Sequence, residues 1–213
     1  KNEQGKTNWQ DLASQTGSKK AEPKAEPEQP SSTSPGHLAD LSIEKIQIQN
    51  TQINWVDKQA GTSLAVQDLN LDMGPIRLDN PVPLDLQCRV ENEQTGDRSD
   101  VSMSGRFTFA AQEKRLHAED IDLINQVSGR SIPGGEQEIH VQTSLTLDMD
   151  TGALDIPQLS LSAYDLKLTA QIQGKSITTS PSFSGQLTVQ PFNPKELMTR
   201  LELPAIQTAD PKA

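Results

Sequence analysis

The 213-residue chain predicts a mainly β protein, with about ten to twelve antiparallel strands and one or two short helices. Three observations carry that prediction. Between Leu41 and Leu203 apolar residues alternate with polar ones, a period of two that sends them to one face of a strand. The alternating runs are joined by short stretches of Asp, Asn, Gly and charged residues, as in antiparallel meanders. The intervening positions are Gln, Ser, Thr, Asp and Lys, as in a sheet with one wet face.

Ile46 and Ile48 alternate with Gln47 and Gln49, and Ile53 and Trp55 continue the pattern. Leu64 and Val66 are followed by Leu69, Leu71 and Met73 shifted by one, which calls for a bulge or turn between them. The longest clean run is Val82, Leu84, Leu86, Cys88 and Val90; after ENEQTGDRSD come Val101, Met103, Gly105, Phe107 and Phe109. Leu116 and Ala118 precede the segment 122–128, which predicts a short helix with Leu123, Ile124 and Val127 inward and Gly129 as its stop. Ile139, Val141, Leu145, Leu147 and Met149 run into an Asp-Thr-Gly turn at 150–152, then Leu154 and Ile156. Leu159 and Leu161, Leu166 to Ile172, and Phe183 to Val189 complete the strands. A helix over 194–201 follows, with Asn193 as N-cap, Pro194 at the first helical position and Glu196 at the third. Phe192 and Leu197 occupy the positions of a hydrophobic staple, and Leu197, Met198 and Leu201 share one helix face.

The chain divides into a segment 1–18, a linker 19–38, a β domain 39–203 and a tail 204–213. The linker carries Pro23, Pro27, Pro30 and Pro35 among charges and a serine cluster, a composition unable to bury enough apolar surface to offset its ordering entropy. Segment 1–18 has Trp9 and Leu12 as its only large apolar residues and reads as the end of an element cut short. A chain that starts at Lys rather than Met reads as a piece of a longer polypeptide, with targeting or anchor segments elsewhere.

A net charge of −10 argues against a nucleic-acid partner, since no basic face would neutralise phosphates. No apolar run approaches the ~18–20 residues that span a bilayer, and the first ten residues lack a signal-peptide apolar core. The lone Cys88 forms no internal disulfide and leaves the redox compartment open; between Leu86 and Val90 it reads as a buried, inert thiol.

A one-faced sheet needs a cover, and two short helices are too little for it. Two sheets could pack as a sandwich, one sheet could curl into a groove or tube around an apolar ligand, or a missing segment or partner could cover the face. Only 3% of the chain is aromatic, and a smooth aliphatic lining suits acyl chains as well as any small core.

No catalytic or metal constellation survives its context, and the expectation is a non-enzymatic module without cofactor. Ser42 and Lys45 have S-x-x-K spacing but lie on a strand, facing opposite sides. Asp148, Asp150 and Gly152 open like a calcium loop, yet Leu159 stands where its last glutamate is needed, so a hairpin turn is expected. His37, His117 and His140 are scattered surface residues without a second ligand at metal spacing.

Taken in order, LSIEKIQIQNTQINWVDKQAG, TSLAVQDLNLDMG, NPVPLDLQCRV, AEDIDLINQVSGRSIPGG and SGQLTVQPFNPKELMTRLELP resemble the AsmA family of Gram-negative envelope proteins over about 170 residues from Leu41. The turn Phe192–Leu197 resembles the family's strand-to-helix connection most specifically, whereas the Pro-rich stretch carries no family motif. The resemblance implies a curled antiparallel sheet or groove in the periplasmic part of a protein anchored to the inner membrane, serving outer-membrane biogenesis. It also implies partners: phospholipid acyl chains held along the groove, or envelope assembly proteins. The expected lining is Ile46, Ile48, Ile53, Trp55, Leu84, Leu86, Val101, Met103, Phe107, Leu145 and Leu147.

Overall fold

In the computed structural model residues 42–204 are described; the expected segments 1–18 and 19–38, His37 and most of the tail lie outside them. Nine long strands form one antiparallel sheet: β2 (Ile46–Asp57), β3 (Thr62–Met73), β5 (Val82–Asn92), β6 (Arg98–Ala110), β7 (Arg115–Ser128), β8 (Glu136–Asp148), β9 (Leu154–Ala163), β10 (Leu166–Lys175) and β11 (Ser182–Val189). Their order is β11-β10-β9-β8-β7-β6-β5-β3-β2, so each strand lies beside its neighbour in sequence. A two-stranded ribbon of β1 (Ser42–Ile43) and β4 (Ile76–Arg77) sits where β2 begins and β3 ends. We call that end of the sheet lower; the β2–β3, β5–β6, β7–β8 and β9–β10 turns mark the upper end.

The sheet is open and curled. Its two outermost strands, β2 and β11, have no second partner among the described residues, so it does not close into a barrel. Bulges interrupt six of its eight ladders and increase local twist and bend. Asn50, Asp68 and Asp120 take left-handed conformations at three of these sites, as short polar side chains tolerate. Side chains satisfy backbone groups freed there: Asn50 N–H donates to Asn70 Oδ1 (3.1 Å), Asp120 N–H to Ser144 Oγ (3.2 Å), and Thr143 Oγ1 to the Gln158 carbonyl (3.0 Å). The shift between Val66 and Leu69 read from the sequence is the β3 bulge around Asp68.

No second layer exists among the described residues, which removes the sandwich alternative. The only hydrophobic residues there below a tenth exposed are Ala65, Ala118 and Ala170, and no large side chain is fully buried. The sheet is therefore held by backbone ladders and by contacts between side chains standing next to one another on its faces.

The helix expected over 122–128 is absent: these residues finish β7. Leu123 and Val127 stand on one face with Asn125 between them, while Asp122, Ile124 and Gln126 stand on the other. Pairing on both sides, together with β-branched Ile124 and Val127, outweighs the short helical spacing. Gly129 still marks the end, at φ 146° and too close to Asp97 for any side chain. The C-terminal helix α1 does form, over Pro194–Arg200, and Asn193 Oδ1 accepts from the backbone N–H groups of Lys195 (3.0 Å) and Glu196 (3.4 Å). Leu197, Met198 and Leu201 are its half-buried residues. The chain turns back over the upper end: Arg200 pairs with Asp165 of the β9–β10 turn (2.7 Å), and Gly134 N–H of the β7–β8 loop donates to Glu202 (3.3 Å).

Candidate functional site: the apolar face of the sheet

Antiparallel partners share a face, so the register assigns every strand side chain. One row runs from Met73 on β3 through Leu84 on β5 to Gly105 on β6. Another runs from Ile48 through Leu71, Leu86, Met103, Leu123 and Val141 to Leu161 and Leu168. The same face continues to Leu187 and Val189 on the β11 edge. Eight strand spacings of ~4.8 Å and strands of about twelve residues at ~3.4 Å give a face of roughly 1,500 Å². That is several times the few-hundred-Å² apolar patch a monomer ordinarily exposes.

All eleven residues expected to line a groove stand on this face. Ile46, Ile48, Ile53 and Trp55 pair with Met73, Leu71, Val66 and Leu64. Leu84 and Leu86 lie opposite Gly105 and Met103, Val101 opposite Cys88, and Phe107 opposite Val82. Leu145 and Leu147 face Ala118 and Leu116. Most are half-buried, while Ile46 and Ile53 on the edge strand are 36% and 48% exposed. Selecting eleven residues missed the far side of the face, notably Leu161, Leu168, Ile172 and Leu187 on β9 to β11. The same alternation marks them, and only the long continuous face makes their membership plain.

Charge is segregated to the opposite face. Among strand residues on the apolar face only Asp57 is charged, and it sits in the β2–β3 turn accepting from the N–H groups of Gln59 (3.0 Å) and Ala60 (3.1 Å). On the polar face Arg89 bridges Asp68 (3.0 Å) and Asp100 (2.9 Å), and Arg98 reaches Asp100 at 2.6 Å. Lys45 pairs with Asp72 (2.6 Å), and Arg106 holds Asp120 and Glu119. A hydrogen bond from Gln142 holds the Asp122 carboxyl below its ordinary range, assisted by His140 Nε2 at 2.9 Å. His117 stands beside Thr146 Oγ1 at 3.1 Å on the same face.

The remaining motifs have structural roles. Asp148 accepts from the N–H groups of Thr151 (2.8 Å) and Asp150 (3.1 Å) in the β8–β9 hairpin turn, with Gly152 at φ 66°. Ser42 lies on β1, where Arg77 Nε donates to its hydroxyl (3.4 Å), and Lys45 is engaged with Asp72. Cys88 stands on the apolar face but is half-buried rather than buried, because no second layer among the described residues covers it; its partial burial still pushes the thiol pKa up, with Asp100 adding to the shift. No group of three or more His, Cys, Asp or Glu among the described residues is placed to hold a metal ion.

The architecture is that of a single-layer β-groove protein, an open antiparallel sheet with one apolar and one charged face. The chain belongs to the AsmA family, whose model matches residues 1–171. That range takes in the Pro-rich stretch and ends within β10, so the Phe192–Leu197 turn lies outside the matched residues. No curated protein and no solved structure matches the chain. No helix among the described residues is long and apolar enough to cross a membrane.

Proposed function

We propose that this chain is a non-enzymatic lipid-groove module, the periplasmic part of an inner-membrane-anchored protein, contributing to outer-membrane biogenesis by holding or conducting phospholipid acyl chains. The observation that carries this reading is an apolar face across nine strands with no second protein layer over it among the described residues. Its aliphatic side chains provide a hydrocarbon-like surface for acyl chains, while polar headgroups remain in contact with water. Family membership supports the envelope role.

The test is native mass spectrometry of the purified full chain with organic extraction of whatever co-purifies. Stoichiometric phospholipid is expected. A lipid-free mass, unchanged after incubation with phospholipid micelles, would overturn the reading.

A second reading, an assembly factor acting through protein contacts, is favoured by the β11 edge. Its sequence, SFSGQLTV, carries no charge, proline or bulge, the devices that normally protect an edge from strand addition. Capture of a defined envelope protein, lost in Leu187→Pro, whose N–H points away from β10, but retained in Met103→Glu, would select this reading over the lipid groove.

A further inference from the structure

We infer that the apolar face is directional: a glycerophospholipid lies on it with its glycerol and headgroup at the upper ends of β6, β7 and β8 and its tails along the strands towards the lower end. This inference rests on the lipid-groove reading above.

The observation is a gradient of polarity within one face. Three uncharged polar side chains, Ser99, Asn125 and Gln137, meet at the upper ends of the three central strands: Val127 pairs with both Ser99 and Gln137, and Asn125 lies one row below. Ser99 Oγ donates to Asn125 Oδ1 at 2.6 Å, which fixes the amide and leaves its Nδ2 hydrogens available as donors. Gln137 Nε2 donates to the Glu138 carbonyl at 2.6 Å, leaving Oε1 as an acceptor. The other polar residues of this face are spent locally. Thr143 and Thr51 donate to the backbone carbonyls of Gln158 and Gln49, Asp57 and Asn92 accept from N–H groups of the turns that follow them, and Thr62 is the first residue of β3.

Proximity to turns does not explain the cluster. Asn125 stands three residues inside the end of β7, and the lower ends of the same strands carry Phe109, Leu116 and Leu147 equally near their turns. Phe109 remains 41% exposed, so solvent contact alone has not selected polar residues there. Along β6, β7 and β8 a face that is polar but uncharged at the upper end and wholly apolar at the lower end matches an amphiphile with ester carbonyls and phosphate oxygens above its tails. One leaflet of bilayer hydrocarbon is about 15 Å, half the ~30 Å core. At ~3.3 Å per residue this spans four to five residues, so tails starting at Asn125 pass Leu123 and reach Ile121 beside the bulge.

The lone Cys88 allows the test, because it stands on the same face in the row of Val101 and Asn125. A fluorophore on Cys88 reads the upper region; in a Cys88→Ala background, Leu84→Cys places it about 13 Å lower on β5, in the row of Gly105. Phosphatidylcholine carrying a nitroxide either near the head of its acyl chain or at the terminal methyl is then loaded, and quenching is compared. The head-proximal nitroxide should quench more at Cys88 and the terminal one more at position 84, the ratio inverting between the sites. Asn125→Leu should collapse that difference while the melting temperature holds. Equal or reversed ratios in the unsubstituted face would overturn the orientation while leaving the groove intact. No quenching at either site would overturn the lipid-groove reading, and this inference with it.

Discussion

Met103→Glu tests the open face most sharply. Met103 lies on β6 at the middle of the apolar face, between Leu86 and Leu123, and is half-buried. Under a closed apolar layer a carboxylate there would face an effective desolvation penalty of several kcal/mol. That is comparable to the whole ~5–15 kcal/mol stability of a typical domain, and the protein would unfold. On an open face the carboxylate keeps its water. The loss is then about half of the ~1.5–3 kcal/mol that full burial of a methionine contributes, or roughly 1 kcal/mol. For a chain of this size that lowers the melting temperature by about 2–4 °C. The assay pairs urea unfolding followed by circular dichroism with native mass spectrometry. The expected result is a folded variant with a slightly lower midpoint and little or no bound lipid. Unfolding of the variant, with a lipid-free parent protein, would refute the open-face argument.

Headgroup charge should matter little, because the apolar face carries no Lys or Arg; phosphatidylethanolamine and phosphatidylglycerol should compete within about threefold, with weak salt dependence. Stability should fall in acid. Hydrogen bonds from Thr151 hold Asp148 below its ordinary range, Thr95 and Ser131 do so for Asp97, and Gln142 for Asp122. A carboxyl with a depressed folded pKa stabilises above the unfolded value of about 3.9 and loses that contribution as pH drops through the folded value. Urea midpoints should therefore decline below about pH 4, and Asp148→Asn, which keeps the acceptor oxygen, should flatten that decline. Gly185→Val should loosen the β11 edge, because even a methyl group there would collide with the Gln171 carbonyl; faster amide exchange confined to β10 and β11 would show it.

Period-two alternation made the strands legible, since side-chain direction is a local property: Leu84, Leu86 and Val101 could be assigned to one face without knowing what lay beside them. The α1 cap was legible for the same reason, since Asn193, Pro194 and Glu196 act within one turn. The segment 122–128 was not, because Leu123, Ile124 and Val127 satisfy a helical spacing that only pairing with β6 and β8 overrules. The sandwich and groove alternatives also stayed open at the sequence level. Whether a second layer covers an apolar row depends on strand order, and the nine long strands here each pair their neighbour in one sheet, leaving only the short β1–β4 ribbon outside it among the described residues. The polar cluster at Ser99, Asn125 and Gln137 was hidden because its members lie on three strands, each an isolated exception to alternation.

A single layer without a large buried core among the described residues raises the question of what resists unfolding. Eight backbone ladders run between neighbouring strands, and long side chains standing side by side half-bury one another within the plane. On the polar face, the chain of ion pairs through Asp68, Arg89, Asp100 and Arg98 crosses three adjacent strands. None of these interactions requires an occupant on the apolar face. The fold and the surface are thereby uncoupled: a closed core would make loss of its contents an unfolding event, whereas the proposed lipid-groove function needs only that the ladders stay paired while the face fills and empties. On the proposed lipid-groove reading, exchange without unfolding is what the surface needs, and large aliphatic side chains left partly exposed along the sheet are consistent with that reading.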